Sequence, residues 1–111
     1  MKKLAFSAVL ALASLGAQAN TCSSIGCTSV IETLYTSENG NIYVGFPKDE
    51  KQAKCTPQSG IYFTLRPEAK NINQMYSTLL YALASNKKVQ VRIHENTQGC
   101  LISMVSVDTR W

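Results

Sequence analysis

The sequence is poor in the residues on which catalytic and metal sites depend. Its 111 residues include one histidine, His94, and its four cysteines form neither a CxxC motif nor a zinc-type Cys/His spacing. The sequence also has no phosphate-binding glycine loop, no nucleophile elbow and no pair of carboxylates at helical spacing. Because no nucleophile has a candidate base, we expect a protein that is not an enzyme and that needs no metal or cofactor.

Clustered positive charge is lacking as well. The chain has a formal net charge of +4 and a pI of about 9.0, but two of its lysines, Lys2 and Lys3, lie at its start. No run of basic residues interleaved with aromatic residues occurs elsewhere. Proteins that bind nucleic acid usually carry a basic patch or stripe. We therefore expect no nucleic-acid partner.

The chain has only one long apolar run, and it lies near the amino terminus. There a short basic start precedes LAFSAVLALASLGA, which is shorter than the roughly 20 residues that span a bilayer. The small residues Ala17 and Ala19 follow at the spacing that a signal peptidase recognises. We predict that residues 1–19 are a cleaved signal peptide. Residues 20–111 would then form one secreted or periplasmic domain without a transmembrane segment.

The four cysteines are expected to form two disulfides, because an exported protein enters an oxidising compartment. A domain of this size buries a limited core, so such bridges matter for its stability. Four cysteines allow three pairings. Cys22 and Cys27 enclose a short loop, whereas Cys55 and Cys100 flank the central part of the domain. This placement favours Cys22–Cys27 and Cys55–Cys100, with free thiols or a metal site as the alternatives.

Alternating apolar residues predict five strands. Asn39-Gly40 indicates a tight hairpin turn between the first two, since both central residues of such a turn need positive φ. In the third strand Ile61, Phe63 and Leu65 are expected to share the buried face. The charged segment KDEKQAK is expected to be a solvated loop. The predicted strands are residues 30–36, 41–46, 61–65, 89–95 and 100–107.

A single helix is predicted between the third and fourth strands. Apolar residues recur there at three- and four-residue spacing from Ile72 to Leu83. Asn71 and Gln74 stand at capping-box spacing before it, and Asn86 is suited to a left-handed end. This order of elements describes an OB-fold, a five-stranded Greek-key barrel with one helix between strands 3 and 4. The fold class is therefore mainly β with one α-helix.

The apolar face of this helix is wider than one small barrel needs. Tyr76, Leu80 and Tyr81 extend it toward flanks that a monomer would expose. An oligomer that packs its helices side by side would bury them. The sequence therefore predicts self-association through the helix.

Several segments resemble a known family. The segments VIETLY, NGNIYVGF, a cysteine before IYFTL, YSTLLYALASNKKVQVRI and GCLISMVSV look like the B subunits of pertussis-like and subtilase-type bacterial toxins. They look equally like small secreted relatives that are encoded without a known toxin. The resemblance covers nearly all of residues 20–111. It implies a homo-oligomeric ring of five OB-fold subunits that binds sialylated or related glycans of the host cell surface and carries an enzymatic A subunit.

The resemblance also implies which residues contact the glycan. The arginine that the family carries on its fourth strand corresponds to Arg92 without a gap, and the lysine after the second strand corresponds to Lys48 or Lys51. A gapless alignment places Cys27 at the position of the family's serine before the first strand, so either Ser29 or Thr28 takes that role or the glycan pocket differs from that of the better-known members. Tyr35 adds a flat apolar face for a pyranose ring. The candidate glycan-binding residues are Thr28, Ser29, Tyr35, Lys48, Lys51 and Arg92.

Three other functions remain open from the sequence. The same fold without an A subunit could serve as a secreted or periplasmic binding module for another oligosaccharide. A secreted inhibitor or structural protein would be a monomer with a projecting binding loop. Binding of single-stranded nucleic acid is associated with OB-folds in general, but fits poorly with export and with the near-neutral charge of residues 20–111.

Overall fold

The computed structural model describes residues 19–111, so the signal-peptide prediction falls almost entirely outside the described residues. This part of the chain is mainly β, with one α-helix, as predicted. The helix, α1, spans Ile72–Ser85, and a short 3-10 turn spans Glu50–Gln52. The strands are β1 Thr21–Ser23, β2 Gly26–Ser29, β3 Thr33–Thr36, β4 Ile42–Gly45, β5 Thr56–Pro57, β6 Phe63–Leu65, β7 Val89–Ile93, β8 Gln98–Gly99 and β9 Ile102–Ser106.

The strands form three sheets rather than one continuous closed barrel. A four-stranded antiparallel sheet has the order β1-β2-β7-β9, and a three-stranded antiparallel sheet has the order β3-β4-β6. The strands β5 and β8 pair in parallel. The predicted first strand, residues 30–36, forms only over Thr33–Thr36, as β3; β2 precedes it, was not predicted, and belongs to the other large sheet. A single parallel bridge between Thr64 and Leu101 brings the second sheet against the start of β9.

The core lies between the two larger sheets and the helix. Strand β7 shows the predicted alternation, since Val89, Val91 and Ile93 are buried while Arg92 is exposed. The helix contributes mainly Leu79 to the core. The fully buried apolar side chains that surround these residues include Val44, Phe63 and Leu65.

Two local predictions in the β3–β6 region need correction. The hairpin between β3 and β4 forms at the predicted place, but of its two central residues only Gly40 has positive φ, at 93°. The Gly40 N–H donates to Ser37 O, and Ser37 N donates to Asn41 O, which makes a three-residue loop with glycine at its left-handed position. Ile61 is exposed rather than buried, because it belongs to the turn before β6, where its N–H donates to Gln58 O.

The helix has the predicted left-handed end, but its start lacks the predicted capping hydrogen bonds. Asn86 has φ 55°, and the following N–H, of Lys87, donates to Ala82 O at 2.9 Å, so the left-handed end is confirmed. Asn71 stands directly before the helix, yet its side chain makes no capping hydrogen bond. The predicted capping box with Gln74 is therefore wrong.

Both predicted disulfides are present. Cys22–Cys27 joins the directly opposed residues of β1 and β2, and Cys55–Cys100 joins the segments that precede β5 and β9. No free thiol remains among the four cysteines. Such bridges are typical of proteins that fold in an oxidising compartment. Within residues 19–111, no helix is long and apolar enough to cross a membrane.

Candidate functional site

The first group of candidate residues lies on the solvent side of the four-stranded sheet. Thr28 stands opposite Thr21 on β1 and Gln90 on β7, and Arg92 lies two pairs further along β7. These residues share one side because the residues between them in β2 and β7, Cys27 and Val91, are buried. We call Thr21, Thr28, Gln90 and Arg92 the outer sheet face.

Arg92 is exposed and its guanidinium is unpaired. It takes part in none of the salt bridges found within residues 19–111. Its cross-strand neighbour on β2 is Gly26, where an added Cβ would lie 2.0 Å from Val91 O. A side chain cannot be placed there, because the buried Gly26 lies directly against the backbone of β7 beside Arg92. A free guanidinium can bind a carboxylate through two parallel hydrogen bonds.

Thr28 and Ser29 differ in access to solvent. The Ser29 side chain is 0% exposed, and its hydroxyl donates to Val30 O at 2.7 Å. Ser29 therefore offers no surface to a glycan, because its side chain points into the core side of β2. Thr28 is partly exposed on the opposite side of the same strand. Of the two residues named for the serine role, Thr28 is the one that the strand presents to solvent.

The second group lies around a cavity beside the 3-10 turn, which we call the cleft. Its volume is about 580 Å³, a size usual for small-molecule pockets. Lys48 and Lys51 line it, together with Tyr62. The alternation of the third strand predicts an outward side chain at Tyr62, but the sequence did not connect this residue with a site. The other lining residues are Glu32, Thr33, Gly45, Phe46, Pro47, Asp49, Glu50, Gly60 and Ile61.

Tyr35 belongs to a cluster of three tyrosine rings beside the cleft. Its ring centroid lies 5.0 Å from that of Tyr43 and 5.3 Å from that of Tyr62. Loss of hydration raises the pKa of the Tyr35 phenol, and the neighbouring phenols of Tyr62 and Tyr43 raise it further. Tyr35 thus does not line the cleft itself but contacts Tyr62, which does.

The segment predicted as a solvated loop has a buried carboxylate at its centre. Glu50 is only 4% exposed, and its Oε2 accepts a hydrogen bond from Phe46 N at 2.7 Å. Asp49 Oδ1 accepts from Lys51 N at the start of the 3-10 turn. These two bonds fix the loop that carries both lysines. Nothing in the residue pattern of KDEKQAK separates Glu50 from its exposed neighbours, so sequence reasoning missed it.

Burial raises the pKa of Glu50, and the charges of Asp49 and Glu32 raise it further against the lowering effect of its backbone hydrogen bonds. A carboxyl group with a raised folded-state pKa adds stability below its unfolded pKa and loses it as the pH rises through the folded pKa. We expect the wild type to gain stability relative to Glu50→Gln as the pH falls from 7 to 4. Glutamine keeps an acceptor for Phe46 N but does not titrate.

Thermal unfolding of both proteins between pH 4 and pH 7 measures this difference, in which the titration of all other groups largely cancels. Glu95→Gln, at an exposed glutamate outside the cleft, is the matched control. A wild type that loses stability relative to Glu50→Gln on acidification would show that the pKa of Glu50 is lowered instead.

The structure therefore divides five of the six candidate residues between two places, while Ser29 is buried and belongs to neither. Thr28 and Arg92 lie on the outer sheet face, and the cleft includes neither of them. Lys48 connects the two regions, because it also lines a smaller recess of about 190 Å³ with Thr21. Thr21 is the residue opposite Thr28. Among residues 19–111, no group of three His, Cys, Asp or Glu side chains is arranged to hold a metal ion.

Comparison with protein-family models, with curated proteins and with solved structures found no match to this chain.

Proposed function

We propose that this protein is the glycan-binding B subunit of a secreted bacterial toxin, an OB-fold chain that forms a ring of five and delivers an enzymatic A subunit into host cells. One observation supports the proposal most: Arg92 is exposed, forms no salt bridge within residues 19–111, and lies on the same sheet face as Thr28. A guanidinium meets the carboxylate of a sialic acid, and a short hydroxyl meets its polar substituents.

The order of the elements supports the OB-fold part of the proposal. If β2 and β3 are counted as one bent strand, then β4, β6, β7 and β9 are the second to fifth. The helix α1 lies between the third and the fourth. The Thr64–Leu101 bridge adds a parallel contact between the third and the fifth. These neighbours are the ones that a five-stranded Greek-key barrel requires.

Arg92→Ala is expected to weaken binding to sialylated glycans by about 10- to 100-fold, because a charge-assisted hydrogen-bond pair is lost from an exposed position. A glycan array on the oxidised protein, followed by titration with 3′-sialyllactose, measures this effect. Arg66→Ala is the control, since Arg66 is also exposed but pairs with Glu68. Unchanged binding by Arg92→Ala, with the oligomer intact, would remove Arg92 from the site.

A second function is favoured by one observation. Because Ser29 is buried, the chain does not present the serine by which the family binds sialic acid. This favours a secreted binding module for another oligosaccharide, without an A subunit. A neighbouring gene for an ADP-ribosylating or protease A chain, and co-purification of its product with this protein, would support the toxin. Their absence would favour the separate module.

A further inference from the structure

The cleft has an aromatic wall whose position is fixed by the strands beneath it. A Cβ built on Gly45 would lie 3.2 Å from two carbon atoms of the Tyr62 ring, so the ring packs closely on the backbone of β4. Tyr35 contacts the same ring at an interplanar angle of 79°. Ile61, which is 48% exposed, continues this surface at the rim. A rigid aromatic and aliphatic wall suits a flat apolar ligand face and costs little conformational entropy on binding.

The charged groups that line the cleft are not paired with one another. None of the salt bridges within residues 19–111 includes Lys48, Lys51, Glu32 or Asp49. The side chains of Glu32, Lys48 and Lys51 are exposed and free to bind a ligand. The exposed carboxylates of Glu32 and Asp49 balance the ammonium groups of Lys48 and Lys51, so the accessible lining has no net positive charge that would favour an anionic ligand.

We propose that the cleft is a second carbohydrate subsite, distinct from the outer sheet face, and that it binds a neutral hexopyranose. The hydroxyl groups of such a sugar donate to Glu32 and Asp49 and accept from Lys48 and Lys51. Its C–H face packs on Tyr62. The inference rests on the proposed glycan-binding function, and it adds a neutral sugar to the anionic one expected at Arg92. One chain would then contact two residues of a branched or extended glycan.

The test uses NMR titration of the oxidised full domain, residues 20–111, with single sugars. The neutral probes are the methyl glycosides of β-galactose, β-glucose and α-mannose, and the anionic probe is the methyl α-glycoside of N-acetylneuraminic acid. We expect at least one neutral probe to shift the amide signals of Gly45, Lys51 and Tyr62. The signals of Gly26 and Arg92 are expected to respond to the anionic probe only.

Two variants locate the neutral site. Tyr62→Ala is expected to weaken binding of the neutral probe about tenfold, since an aromatic contact and its buried area are lost. Glu32→Ala removes an exposed hydrogen-bond acceptor and is expected to weaken binding of the neutral probe without affecting folding. This variant keeps the test valid if Tyr62→Ala unfolds. Glu38→Ala, at an exposed glutamate in the β3–β4 loop outside the cleft, is the matched control for Glu32→Ala and should leave binding unchanged.

The first two of the following outcomes separate this inference from the proposed function. If the anionic probe binds and no neutral probe does, the cleft is not a sugar subsite, while glycan binding at Arg92 stands. If the neutral probe binds but shifts the Arg92 region and ignores both cleft variants, the inference is overturned in the same way. If no probe binds, both proposals are overturned.

Discussion

Replacement of Cys55 and Cys100 by alanine is expected to lower the free energy of unfolding by about 4 kcal/mol, the value that chain-entropy models give for a loop of this length. The bridge joins residues separated by 45 positions. It also fixes the region in which Thr64 N donates to Cys100 O and β5 pairs with β8. Its loss thus raises the conformational entropy of the unfolded chain and weakens the contacts that join the sheets in the folded one.

The double variant of Cys22 and Cys27 is the matched control. This bridge has a sequence separation of 5, for which the same models give about 2 kcal/mol. Each bridge has one fully buried partner, Cys27 or Cys100, so the packing losses are similar and the difference reflects loop length. Urea unfolding of the wild type and both double variants measures it. Equal losses from the two variants would contradict the loop-length argument and point to strain or packing instead.

Local patterns predicted most of the individual elements, because each depends on residues close together in sequence. The alternation of Val89, Val91 and Ile93 reports burial on one side of a strand. Asn86 indicates the end of a helix, since asparagine tolerates the left-handed conformation. The spacing of the cysteines identified both bridges.

The partition of the strands into sheets was not predictable in the same way. The predicted strand, residues 30–36, includes β3 but not β2, which precedes it; β2 pairs with β7 and β3 pairs with β4. Which partner each strand takes is decided by contacts with segments many residues away. The burial of Glu50 has the same origin, because Phe46 N needs an acceptor that the sequence pattern does not identify.

The candidate site was predicted residue by residue rather than as a surface. Arg92 and Thr28 share a face because β2 and β7 are paired in register, as an outward arginine on a strand suggested. Ser29 was misplaced by a single position, since neighbouring residues of a strand point to opposite sides. The position of the Tyr62 ring in the wall of the cleft was not predictable, because it depends on Gly45 across the sheet, which lets the ring approach β4.

The largest expected effect on assembly comes from the helix. Leu80→Glu is expected to convert the proposed ring of five into monomers. Tyr76, Leu80 and Leu83 follow one another at i, i+4 and i+7, and so form one stripe along α1. Leu80 is 42% exposed, Leu83 is exposed and Tyr76 is half-buried, so the single chain leaves this stripe largely uncovered. The helix carries no charged residue, and a carboxylate in a packed helix–helix contact would lack a partner.

The native mass of oxidised residues 20–111, wild type and Leu80→Glu, measures this effect. Gln74→Glu is the control, because it adds the same charge to the opposite flank of the helix, which borders β9. A wild-type ring that survives Gln74→Glu and dissociates with Leu80→Glu would place the stripe in the subunit interface. A wild type that is itself a monomer would remove the ring, leave the exposed leucines without a partner and favour the separate binding module. The second outcome would leave the sugar titrations unchanged, because both proposed carbohydrate sites are built from residues of one chain.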